Sequence, residues 1–187
     1  HLAGITSVPT TLKDKGNNKE IYEVGVLGTR NILNCVEEYT KIVFPSTHVV
    51  FEGLKSVKKN VSENEKPKPI LDYSKGKVQS EEDIIASKNN YVILRLGSVY
   101  GISYDSTRIN IMPNLFSKIA SEGGTIQLFA KGEQFKSLVS VYDVARCLQF
   151  VGEDDAISNE IFNCVNENLQ VKNVANICKK YSKNLKI

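Results

Sequence analysis

The chain has 187 residues, a net charge of +3 and 41% hydrophobic residues. That is the length of one ordinary globular domain, with enough apolar content for a core. The charge is too small, and the lysines too evenly interleaved with acids, for a nucleic-acid footprint. No apolar run approaches the roughly 20 residues that span a bilayer, and no leader pattern opens the chain. The expectation is therefore a cytoplasmic protein with neither nucleic acid nor membrane as a partner. Cys35, Cys147, Cys164 and Cys178 stand singly, and His1 and His48 are the only histidines. No metal site is expected, and the thiols read as reduced and mostly buried.

In chain order, His1-Leu2-Ala3-Gly4 reads as the end of a strand followed by a loop through Pro9, and Lys13 to Asn18 as a polar loop. From Lys19 to about Tyr39, Ile21, Val24, Leu27, Ile32, Leu33 and Val36 recur at three- and four-residue steps and predict a helix. Gly25 and Gly28 within it cost about 1 kcal/mol each against alanine, so something is expected to pack closely on both. Lys41 to Phe44 predicts a buried strand that runs into the hydroxyls of Ser46 and Thr47. Leu54 to Ile70, lysine-rich and punctuated by Pro67 and Pro69, is a surface loop.

A second helix is predicted from Tyr73 to about Ala86, and a strand from Tyr91 to Leu94 that enters the glycine-containing turn Leu96–Gly101. Thr107 to Ala120 begins a helix with Pro113 in its opening turn, ended by Gly123-Gly124. Gln127 to Phe129 reads as a short strand, Asp143 as the cap of a helix, Ile161 to Cys164 as a strand, and Val171 to Tyr181 as an amphipathic helix.

Tyr73 and Lys77 stand four residues apart, on one face of the predicted second helix. An ammonium beside a phenol favours phenolate, which moves a group with an ordinary pKa of about 10 towards acid/base use near neutrality. A lysine-rich chain produces such a pair by chance, so the surroundings carry the argument. Upstream, a strand ends in Ser46-Thr47-His48; downstream, a strand runs into Leu96-Gly97-Ser98-Val99-Tyr100-Gly101. A hydroxyl at Thr47 can bond both a substrate oxygen and Tyr73.

This order resembles the extended short-chain dehydrogenases/reductases, the NAD-dependent sugar-nucleotide epimerases and dehydratases, over nearly the whole length. The resemblance implies an α/β fold: a partial, Rossmann-like parallel sheet, the C-terminal part of the nucleotide-binding fold, over residues 1–101. A small α/β substrate-binding region follows over 102–187, part of it returning to the main sheet. By resemblance, Tyr73, Lys77 and Thr47 are catalytic. Ala3, Gly4, Ser46, Gly97, Ser98 and Val99, with Tyr73 and Lys77, face NAD, and NADP is not excluded. Thr47, Arg108, Asn110 and Lys136 meet a nucleotide-sugar. The helices from Lys19 and Tyr73 form a homodimer interface in the family.

Three departures shape the reading. Gly25 falls where the family carries the asparagine of a proton relay. His48-Val49 stands where dehydratases carry Asp-Glu, and valine is neither acid nor base, so epimerase or reductase chemistry fits better than dehydration. No Gly-x-x-Gly-x-x-Gly follows a strand anywhere in these residues, so the pyrophosphate-receiving turn of the family is lacking. The expectation is an N-terminally truncated chain that binds dinucleotide weakly or not at all, is inactive alone, and self-associates through an unprotected sheet edge. The alternative is a non-catalytic module that folds by self-association.

Overall fold

The structure, a computed structural model, describes residues 1–4, 18–104 and 107–187. The loops expected within residues 5–17 lie outside the described residues. The chain divides into two compact units. One takes His1–Leu96 with Leu148–Asn163, and the other takes Gly97–Cys147 with Cys164–Ile187.

In the first unit, alternation along β1 (Ile42–Thr47) and the apolar run of β2 (Tyr91–Leu96) make two parallel strands, paired from Ile42 with Tyr91 to Thr47 with Leu96. The sheet order is β1-β2-β5, with β5 at Glu160–Cys164. Side chains two apart share a sheet face, and Ile42 and Phe44 of β1 meet Ile93 of β2 and Ile84 of helix α3 (Asp72–Ala86) in one core cluster. Leu33 and Val36 pack against the same cluster. The mixed α/β architecture with a parallel three-stranded sheet is the one anticipated.

The helix expected over Lys19–Tyr39 is broken and shorter. It runs as α1 (Asn18–Tyr22), a π-helical turn (Glu23–Leu27) and α2 (Gly28–Cys35). It stops because Val36 is extended and Tyr39 sits at φ 67°, in a turn that an α-helix cannot contain. A π turn widens the spiral and frees backbone carbonyls from their usual donors. The carbonyl of Gly25 accepts from the hydroxyls of Thr29 at 2.6 Å and Ser80 at 3.2 Å. The close packing expected on the two glycines is absent: a Cβ on Gly25 would have no neighbour within 4 Å, and one on Gly28 would lie 3.8 Å from the Glu23 carbonyl, an ordinary contact.

In the second unit β3 (Ser98–Tyr100) pairs parallel with β4 (Phe135–Ser140), which pairs antiparallel with β6 (Glu167–Gln170). Helices α4 (Met112–Ser121) and α6 (Val171–Tyr181) supply Phe116, Ala120, Val174 and Ala175 to a core shared with Ile126, Leu138 and Leu185. Two expectations fail here. The stretch Leu96–Gly101 is not a turn throughout, because Gly97 alone breaks the chain before β3. Gln127–Phe129 is not a strand, since Phe129 opens a 3₁₀ turn through Gly132 in which Ala130 and Lys131 take left-handed backbone angles.

Helix α5 (Val141–Glu153) begins after β4. Its start is held by Ser140, not by Asp143 alone: the Ser140 hydroxyl accepts from the Asp143 amide at 3.1 Å and donates to the Asp143 carboxylate at 2.8 Å. Ser140 is thus the capping residue, one turn earlier than expected, and the Asp143 carboxylate orients its hydroxyl. The thiols also differ from expectation, since Cys35 is exposed and the other three are half-buried, although none is paired. Among the described residues there is no helix long and apolar enough to cross a membrane and no cluster of metal-binding side chains.

Candidate active site

Helix α3 opens where a loop is pinned to it. The Glu52 carboxylate accepts from the amides of Ile70 at 2.8 Å and Leu71 at 2.7 Å, and from the Ser74 hydroxyl. Gly53 is required there, because a Cβ would stand 2.4 Å from the Lys68 carbonyl that the Gly53 amide already meets. An anion at a helix start also complements the helix dipole. Tyr73, between these anchored residues, therefore leaves from a fixed turn and is half-buried.

One turn on, the half-buried Lys77 ammonium donates to the Pro45 carbonyl at 2.8 Å and lies 4.4 Å from the centre of the Phe44 ring. Burial pushes its pKa from 10.5 down to about 8, against the upward pull of the Glu81 carboxylate. Tyr73 and Lys77 line a single narrow crevice together with Ala3, Gly4, Gly25, Phe44, Gly76 and Ser80. His1–Gly4 carries no strand; the His1 ring instead sits 3.1 Å from the Thr29 hydroxyl and 5.7 Å from the Phe44 ring. A Cβ on Gly4 would reach to 3.9 Å from the Lys77 ammonium, so the small residues at positions 3 and 4 leave the lysine open on that side.

At the end of β1 the two hydroxyls point to different partners. Ser46 is buried and donates to Glu81, while Thr47, also buried, accepts from the Val49 amide at 3.2 Å and caps the following 3₁₀ turn. His48 Nδ1 lies 2.9 Å from the Leu96 carbonyl and must carry the hydrogen there. On β2, Arg95 bonds the Glu81 carboxylate at 2.7 and 3.2 Å, with both side chains at 4% exposure or less. Glu81, Arg95 and Glu52 were not anticipated as parts of the site. The available signals were an arginine inside an apolar strand and a glutamate two turns after Tyr73 on the same helical face.

The remaining candidates lie in the second unit. Gly97 is buried, and a Cβ there would stand 3.0 Å from the Ser137 carbonyl, so its smallness serves the approach of β4. Ser98 and Val99 form β3 opposite Leu138 and Val139. Arg108 and Asn110 are exposed in the turn before α4, and Lys136 is exposed on β4.

Lys77 has a measurable signature. The unfolded chain holds this proton up to about pH 10.5 and the folded chain only to about 8, so the unfolded state binds more protons in between. Stability therefore rises with pH across that window, by about 3 kcal/mol from this group. Urea unfolding at pH 8 and pH 10.5 should show this gain in the unchanged chain and lose it in Lys77→Met; equal pH dependence in the two would refute the buried ammonium.

The family model described as NAD dependent epimerase/dehydratase family matches residues 1–164. A curated relative, N-acetyl-alpha-D-glucosaminyl-diphospho-ditrans,octacis-undecaprenol 4-epimerase of Escherichia coli O157:H7, is 29% identical over 154 residues. That alignment covers 78% of this chain and 44% of the relative. Among solved structures, Pal from Bacillus thuringiensis is similar with a TM-score of 0.84 at 22% identity, covering 100% of this chain and 60% of that one. The UDP-glucose 4-epimerase of Thermus thermophilus in complex with NAD is similar with a TM-score of 0.76 at 23% identity, covering 96% and 60%. These structures share the fold, and the chain spans less than two thirds of each relative.

Proposed function

Because the chain belongs to the NAD dependent epimerase/dehydratase family, we propose that it carries the acid/base part of a sugar-nucleotide epimerase or reductase. The observation that carries this reading is the crevice in which Tyr73 and Lys77, one helical turn apart, stand beside the small residues Ala3 and Gly4. Tyr73 exchanges a proton with a sugar hydroxyl, Lys77 holds ribose hydroxyls and favours the phenolate, and Thr47 aligns the sugar oxygen. NAD, when bound, accepts and returns hydride at its nicotinamide ring. Ser46, Gly97, Ser98 and Val99 are the further candidates to face it, and Arg108, Asn110 and Lys136 to face the sugar diphosphate. Val49, at a position where dehydratases carry an acid, favours epimerisation or reduction over loss of water.

The crevice suits the ribose end of a dinucleotide, where Lys77 is the donor. The pyrophosphate end has no glycine-rich turn in these residues, so this polypeptide holds NAD weakly. β1 lies at the edge of its sheet, and Leu27 at the end of the π turn and Ile85 on α3 are exposed, which supports self-association. A cytoplasmic setting accords with four unpaired cysteines. Calorimetric titration with NAD and with UDP-sugars tests the proposal. Saturable heat with the sugar nucleotide and little with NAD is the expected pair of results; no heat with either would favour a non-catalytic module.

A further inference from the structure

Glu81 and Arg95 form a charged pair with 3 to 4% exposure in a core that apolar side chains could fill without loss of stability. Each nitrogen of the guanidinium has a partner inside the protein. Arg95 gives two donors to Glu81 and a third to the Glu63 carbonyl at 2.9 Å, and its guanidinium lies 5.2 Å from the centre of the Phe51 ring. What the pair holds is the end of β1. Ser46 and Arg95 are register partners on adjacent strands and converge on the same carboxylate. One turn earlier on α3, Lys77 takes the Pro45 carbonyl and the Phe44 ring. Three successive β1 residues are thus gripped from one helical face, and the next residue is Thr47.

Apolar burial is non-directional, whereas a hydrogen bond fixes the distance and direction between two named atoms. We propose that Glu81 is a positioning residue: by holding Ser46 against α3, in company with Arg95, it fixes Thr47 relative to the Tyr73–Lys77 face. This rests on the reading of those three residues as the site.

Two variants test it. Glu81→Leu/Arg95→Met replaces the pair by apolar side chains, and Ser46→Ala removes only the hydroxyl on the strand. The double variant should keep its melting temperature within about 5 °C, while the Thr47 methyl resonance broadens or splits. Ser46→Ala should move that resonance too, and Ser46→Thr should restore it. In sugar-nucleotide turnover, kcat should fall about 10- to 100-fold in both variants with KM little changed. A Thr47 methyl signal that stays sharp and unmoved in both variants would overturn the proposal. If the double variant unfolds, Ser46→Ala decides alone. Absence of turnover in the unchanged chain follows from weak NAD binding alone, and the Thr47 resonance then decides this proposal.

Discussion

At NAD high enough to offset its weak binding, Tyr73→Phe should lower sugar-nucleotide turnover by about 10²- to 10⁴-fold while leaving KM and the unfolding midpoint nearly unchanged. The substitution removes one oxygen from a half-buried residue and keeps its ring in a crevice that Ile21 and Phe44 also line, so packing is preserved. What is lost is the hydroxyl proposed to carry the proton, in the crevice that Lys77 also lines. Because Lys77 is cationic only below about pH 8, activity in the unchanged protein should also decline as pH rises through that value. Steady-state rates measured from pH 6 to about pH 10 check both statements. Turnover by Tyr73→Phe within a factor of about two of the unchanged protein would show that another group moves the proton.

Arg95→Met alone should destabilise the chain by about 3–5 kcal/mol, the largest single loss expected outside the apolar core. It leaves the Glu81 carboxylate buried without its counter-ion and frees the Glu63 carbonyl, which anchors the 54–70 loop. The same loop is tied through the Glu63 carboxylate, which accepts from the Asn163 amide at 2.8 Å. Loss of Arg95 should therefore also expose the loop to protease before global unfolding. Adding Glu81→Leu to the variant removes the stranded charge and should recover most of the stability. Denaturant unfolding of the single and double variants gives the comparison; equal stability of the two would contradict the buried-charge explanation.

The helix around Tyr73 was legible because an uninterrupted stretch with Val78, Ile84 and Ile85 has few alternatives, and its strand partners were legible from their apolar runs. The parts that escaped depend on pairing across the chain. Arg95 between Leu94 and Leu96 announces a buried partner, but naming Glu81 requires the strand-to-helix register, which periodicity does not supply. The π turn at Gly25 escaped because its carbonyl is satisfied by Thr29 and by Ser80, 55 residues away. Strand β6 is a short segment whose residues alternate poorly, and its place comes from antiparallel pairing with β4. Gln127–Phe129 looked like a strand by composition, yet the left-handed Ala130 and Lys131 turn the backbone away just beyond it.

The most direct test of the Tyr73–Lys77 site is a titration of the chain, with ¹³C-labelled tyrosine rings, by a UDP-sugar. The Tyr73 ring resonances should shift saturably, while those of Tyr39 and Tyr181, which are 69% and 88% exposed, stay in place. A sugar nucleotide that binds without moving the Tyr73 signals, or that produces no shift at millimolar concentration, would contradict the assignment of this crevice to sugar chemistry.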